Sequence, residues 1–172
     1  PSKYLIMKDS TVDIPSFIKK NFYVFSYQII DINKLFVQVI NSKTGKIKYL
    51  NIKKTPHYFL ALDYLKTSKI IDAHGYKKYQ NYIKSNPDDS RSIAKFESLI
   101  NSIKTNGYNF EESPILVFNT LKRPLPLGRY DVADGFHRLS ILAAIGIKNI
   151  NVAVLKRKQS FITRLINRII NA

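Results

Sequence analysis

The feature that most restricts the fold is that the hydrophobic period of the chain changes twice. From Phe22 to Ile52 the runs FYVFSYQIIDI, KLFVQVI and KIKYLNI are rich in β-branched and aromatic residues and are separated by turn signals at Asn33-Lys34 and at residues 41–45. They predict a three-stranded antiparallel meander. From Thr55 to about Tyr108 the apolar residues fall at helical spacing instead: Tyr58, Leu62 and Leu65, then Tyr76, Tyr79 and Tyr82, then Ile93, Phe96, Leu99, Ile100 and Ile103. That spacing predicts two or three helices. Asn86-Pro87-Asp88-Asp89-Ser90 reads as a break with a cap for the next helix, and Asn106-Gly107 as that helix's end.

After Gly107 the pattern becomes an α/β unit. ILVFN (115–119) and Tyr130-Asp131-Val132-Ala133 read as strands around a loop rich in Pro and Gly, a helix runs from about His137 to Ile145 and stops at Gly146, and NINVAVL (149–155) forms another strand. The segment from Lys156 to Ala172 places Phe161, Ile162, Leu165, Ile166, Ile169 and Ile170 on one stripe, with Arg164 and Arg168 away from it. This organisation predicts an α+β protein in three parts: a β-rich extension over 1–54 packed on the core, a central domain over 55–155, and a basic amphipathic C-terminal helix over 156–172. That helix either docks on its own domain or lies on anionic lipid.

Composition narrows the chemistry. With 45% hydrophobic residues the chain is able to build a core. It has no cysteine, which excludes thiolate nucleophiles, thiolate metal sites and thiol redox chemistry. The three histidines, His57, His74 and His137, do not pair at ligand spacing, which argues against an imidazole-built zinc site. Twenty-eight Lys and Arg against 12 Asp and Glu give a formal charge of +16, which points to an anionic partner: phosphorylated small molecules, nucleic acid or an anionic membrane surface. No run of 18 apolar residues and no signal-peptide pattern occurs, so a cytoplasmic location is expected.

The stretch that carries chemistry is Asp134-Gly135-Phe136-His137-Arg138, between a short strand and an apolar helix. A helix start leaves amides without acceptors and bears the positive end of the helix dipole, so it suits an anion. Gly135 permits a left-handed turn and close approach of a ligand, Arg138 adds a phosphate-matching fork, and His137 adds a group that titrates near neutral pH. Three jobs are open to Asp134: capping the helix, orienting His137 or Arg138, or holding Mg2+ against phosphates. Lys122, Arg123 and Arg129, on the preceding loop, are further candidates to reach the same anion. The spacing of Tyr76, Tyr79 and Tyr82 fits core packing better than base stacking, and Asp72 and His74 flank the start of their helix.

The segment from Phe96 to Val154 resembles the ParB/sulfiredoxin superfamily through the ordered pieces FESLINSIKTNGYN, SPILVFN, YDVADGFHRLSILAAIG and IKNINVAVL. The resemblance implies a small α/β core whose loop binds nucleotide phosphates, here on Gly135, Phe136, His137, Arg138, Leu139 and Ser140. The loop is most similar to that of free-serine kinases. That likeness implies a kinase moving phosphate from ATP or ADP, with Mg2+ on Asp134, to a small hydroxylated metabolite, with His137, Asp134 and Asp72 as catalytic residues. The carboxylate those kinases use as base has no counterpart in Thr55-Pro56-His57-Tyr58, which leaves Asp63, Asp72 and Glu97 as candidates. The helices of residues 56–85 would wall the acceptor pocket, with His57, Asp63, Asp72 or His74 facing Arg138. Phe136 stands where sulfiredoxins carry their cysteine, which sets that activity aside. The alternative is a basic, ParB-like DNA-binding or nuclease-type module.

Overall fold

In the computed structural model, residues 15–40, 44–68, 70, 74–87, 92–119 and 128–158 are described. The elements in chain order are α1 (Ser16–Lys19), β1 (Phe22–Asp31), β2 (Leu35–Ile40), β3 (Ile47–Asn51), α2 (Pro56–Thr67), α3 (His74–Ile83), α4 (Ile93–Asn106), β4 (Ile115–Asn119), β5 (Tyr130–Asp134), α5 (Phe136–Ile145) and β6 (Asn149–Arg157). Three helices thus fill the stretch of helical spacing, and their ends obey local chemistry. The Thr55 hydroxyl accepts from the Tyr58 amide at 3.3 Å ahead of Pro56, whose missing N–H is no loss in a first turn. Ser92, beyond the expected Asp88–Ser90 cap, accepts from the Lys95 amide at 3.3 Å and starts α4. Gly107 and Gly146 close α4 and α5.

The six strands make one mixed sheet in the order β1-β6-β4-β5-β2-β3. The expected meander is therefore corrected. β2 and β3 do form an antiparallel hairpin, from Phe36 opposite Asn51 to Ile40 opposite Ile47, but β1 lies at the other edge, antiparallel to β6 from Phe22 opposite Arg157 to Asp31 opposite Asn149. The reason is the link between β1 and β2. A tight two-residue hairpin needs positive φ at one or both central residues, whereas the only non-glycine residue with positive φ among those described is Ser68. Ile32–Lys34 forms a 3-10 turn, begun by the Asp31 side chain accepting from the Asn33 amide at 2.8 Å, and Ile32 donates its amide to the Lys148 carbonyl at 2.8 Å. The chain is thereby handed to the start of β6 and does not fold back on itself.

That link also dictates the shape of the sheet. β1 and β2 are four strand spacings apart, about 19 Å in a flat sheet, whereas a three-residue 3-10 turn spans only about 6 Å. The sheet must curl until its edges approach. A side-chain bond across the curl agrees: the Tyr130 hydroxyl on β5 meets Gln28 Oε1 on β1 at 3.0 Å, past the intervening β4 and β6.

The main core lies inside the curl, where Leu35, Val37, Ile115, Val117, Val152 and Val154 from the sheet meet Leu60, Phe96, Ile100, Leu139 and Ile141 from the helices. A smaller cluster on the other face joins Ile18, Leu116, Ala153 and Leu155. The strands of residues 22–51 thus share one sheet and one core with the α/β unit, as its edges. β6 continues to Arg157, so Lys156 and Arg157 are strand residues and not the start of a helix, while residues 159–172 lie outside the described residues. No helix among the described residues is long and apolar enough to cross a membrane.

Candidate functional site

Asp134 ends β5, Gly135 turns with φ 87° and ψ 15°, and Phe136 begins α5. The turn is tight as well as left-handed: a Cβ on Gly135 would stand 2.9 Å from Ile115 Cγ1, 3.1 Å from Ile115 Cα and 3.2 Å from Arg138 Nη2. Only glycine meets both demands. The Leu139 amide donates to the Gly135 carbonyl at 2.9 Å, and the amides ahead of it in the first turn have no acceptor inside the helix.

This helix start opens into a cavity of about 1010 Å3 whose wall includes all five residues from Asp134 to Arg138. The opposite wall is α4, with Leu99 and Ile103, and the 107–113 loop, with Tyr108 and Glu112. The cavity exists because β2 and β5, parallel neighbours, pair only at Leu35 with Tyr130 and Phe36 with Asp131 before they part. Val37 and Val132, one step further along each strand, then line the opening. A crevice at the carboxyl ends of strands that separate is where open α/β sheets commonly receive ligands.

Arg138 turns its guanidinium back along the cavity wall. Nη1 donates to the Ser113 hydroxyl, and Nη2 to the Pro114 carbonyl at 3.3 Å and to Asp134 Oδ2 at 3.4 Å. It therefore clamps the first turn of α5 to the entry of β4, with the side chain 20% exposed. Of the jobs open to Asp134, capping is not the one seen, because no side chain caps α5; the carboxylate orients Arg138. Tyr108 donates its hydroxyl to the Ser113 carbonyl at 3.0 Å, and burial pushes that hydroxyl up to about 12 against the opposing pull of the Arg138 charge. Among the described residues on the wall, Arg138 is the single Lys or Arg, and Glu112 and Asp134 are the carboxylates.

The other expected residues divide sharply. Leu139 and Ser140 are fully buried behind the turn, and the Leu139 amide is already bonded within the helix, so neither faces the cavity. His57 is fully buried too, its ring centroid 4.2 Å from Phe136 and 4.7 Å from His137, with Tyr79 and Tyr82 around it. It supports the first turn from behind. Asp63 Oδ2 accepts from the Gly75 amide at 2.5 Å and so joins α2 to α3, while His74 is exposed at the start of α3. Glu97 is not on the cavity wall. The expectation that residues 56–85 wall the pocket and face Arg138 is corrected: α4 and the 107–113 loop supply the wall, because α2 and α3 pack on each other and α2 on α5 on the far side of the first turn. Tyr79 is a core residue, and Tyr76 and Tyr82 pack against that core. Arg129 stacks over the Phe36 ring at 4.8 Å. Asp72, Lys122 and Arg123 fall outside the described residues.

Glu112, Ser113 and Tyr108 were not foreseen from sequence. Their one local signal is Asn109, whose side chain accepts from the Glu111 amide at 3.0 Å and shapes the loop into the wall. Asp131 was also missed. Its Oδ1 is buried with no hydrogen-bond partner among the described residues, and burial pushes the carboxyl up to about 6. No group of three or more His, Cys, Asp or Glu among the described residues is arranged to hold a metal ion. No protein-family model matches the chain, and no curated protein or solved structure matches it either, so its chemistry is read from its own residues.

Proposed function

We propose that the cavity at the start of α5 binds a nucleotide with its phosphates over the first turn, and that the protein is a kinase that passes a phosphoryl group to a small hydroxylated metabolite. The observation that carries this reading is the Gly135 turn, which presents an open helix start to a cavity of about 1010 Å3. Pockets that enclose a ligand of nucleotide size run to roughly 300–1,000 Å3. The fold class and the order of the strand, loop and helix support the resemblance to the ParB/sulfiredoxin superfamily and its serine-kinase branch.

The charges on the wall shape the proposal. Among the described residues on the wall one guanidinium stands against two carboxylates, which favours a nucleotide that enters as its Mg2+ complex, with Asp134 as the carboxylate that would meet the cation. The bound nucleotide supplies the phosphoryl group and Mg2+ neutralises its charge. His137 and the first-turn amides hold the phosphate oxygens, and Arg138 fixes the geometry of the turn. Glu112, exposed on the opposite wall, accepts the proton of the acceptor hydroxyl as its oxygen bonds to phosphorus and the bond to the nucleotide's bridging oxygen breaks. Thermal melts with nucleoside di- and triphosphates plus Mg2+ test the reading. At a hundred times the dissociation constant, binding should stabilise the protein by about 2.7 kcal/mol; no rise in melting temperature with any of them would refute it.

A further inference from the structure

Of the three imidazoles in the chain, His57 alone is fully buried, and the chemistry proposed above makes no use of it. Thr55 caps α2 and Pro56 opens it, which places His57 in the first turn of that helix. There its ring meets three other helices. The ring centroid lies 4.9 Å from Tyr79 and 5.3 Å from Tyr82 on α3, 6.2 Å from Phe96 on α4, and 4.2 Å from Phe136 and 4.7 Å from His137 on α5. A phenylalanine would fill this space without burying polar atoms, and a buried imidazole is tolerated only when its nitrogens are engaged. The position is therefore one where nitrogen matters, and it borders the two residues that open the Gly135 turn. His137 in turn has two sides. Its Nε2 is buried, with His57, Phe96 and Phe136 packed on the ring, whereas the residue as a whole is half-buried and lines the cavity. Nδ1 is thus the nitrogen left to meet a ligand. The planes of His57 and His137 stand at 90°, so one ring sets its edge on the face of the other.

We propose that His57 is the positioning residue of the anion turn: it fixes the His137 ring in place and in the tautomer that carries its proton on Nδ1, so that a neutral imidazole offers an N–H to the phosphates. A neutral imidazole has one N–H, and which nitrogen bears it is set by what the other nitrogen meets. A ring free of that constraint divides its time between two tautomers, and here only one of them donates into the cavity. Groups behind a metal-binding histidine orient it by the same logic. His57 touches neither the cavity nor its contents, so its influence on a ligand passes through His137 alone. The purpose of the arrangement rests on the nucleotide reading, while the pairing of the two rings stands apart from it.

With three histidines in the chain, side-chain proton–nitrogen NMR of the full-length protein reads the tautomers directly, at about pH 8.5 where an ordinary imidazole is neutral. His137 should carry its proton on Nδ1, while His74, exposed at the start of α3, shows the mixture of a free ring. His57→Phe keeps the ring volume; it should retain a cooperative melt, return His137 to a mixture and lower the affinity for MgATP about tenfold, close to the worth of one hydrogen bond to a charged group. His57→Gln packs less well but restores a polar atom, and should recover part of that affinity. A role in packing alone reverses the order, with Phe neutral and Gln the damaging change. The wild-type spectrum stands without any variant: mixed tautomers at His137, or a proton on Nε2, would overturn the proposal, as would wild-type affinity in folded His57→Phe. Failure of MgATP to bind the wild-type chain, with the tautomer change still seen in His57→Phe, would sink the nucleotide reading and leave the positioning role in place.

Discussion

Gly135→Ala should destabilise the protein by more than the backbone conformation alone explains, and Gly146→Ala measures that difference. The two glycines have nearly the same conformation, φ 87° and ψ 15° against φ 96° and ψ 13°. Placing an L-residue there costs about 1–2 kcal/mol in either case, and the gain from a stiffer unfolded chain is the same for both. Their surroundings differ. A Cβ at 146 meets nothing within 4 Å, whereas at 135 it meets Ile115 at 2.9 and 3.1 Å and Arg138 Nη2 at 3.2 Å. Ile115 is fully buried in a central strand and its Cα is backbone, so relief requires α5 to move away from β4. Such overpacking adds about 1–3 kcal/mol. Urea unfolding of both variants should therefore separate their midpoints by about 0.5–1.5 M, for a slope near 2 kcal/mol/M. Equal destabilisation would show that the Gly135 turn is not pressed on β4, and the case for a glycine-only phosphate turn would fall with it.

Arg138→Ala should cost about 1.5–3 kcal/mol of stability by stranding its partners at Ser113, Pro114 and Asp134, and Arg138→Lys should recover little of it because an ammonium lacks the fork; urea midpoints read both. Asp131 binds a proton more tightly folded than unfolded, so its contribution to stability is full below its unfolded value near 3.8 and is lost as pH rises through about 6. Asp131→Asn should therefore flatten the fall in stability between those pH values, as tracked by urea midpoints from pH 4 to 7, and an unchanged slope would remove Asp131 as its source. Asp63→Ala should cost about 1.5 kcal/mol through loss of the bond to the Gly75 amide, and hydrogen exchange should quicken in the first turn of α3 more than in α5.

What could be read from the sequence was whatever local chemistry decides. The β2–β3 hairpin, the three helices of residues 56–106 and the strand-turn-helix of residues 130–145 each carry their own period and their own stop residues. The partner of β1 was not legible. Alternation tells a strand which face to bury but not which strand lies beside it, and Asn149 is far along the chain from Asp31. The site divides the same way. Gly135 and the first turn are local, so their place on a cavity could be inferred from the motif. Arg138 finds Ser113 and Pro114 across the fold, and Glu112 reaches the wall only because α4 and β4 set the loop between them. His57 misled because a lone imidazole near a helix start is the same in sequence whether it faces a ligand or packs among rings.

The last of the described strands, β6, is an interior strand of the sheet, seated between β1 and β4. During synthesis β1 leaves the ribosome about 120 residues before β6 begins, which at 5–20 residues per second is roughly 6–24 s. Through that interval the whole of β1 has no partner, one edge of β4 joins it for about the last 30 residues, and exposed strand edges invite pairing with other chains. β1 itself carries Tyr23, Phe25 and Ile29 to the surface even in the finished fold. The nascent chain is thus most prone to aggregate just before β6 is made, and a stop codon or ribosomal stall ahead of Asn149 yields a product with every described helix in place and a gap where its sheet should close.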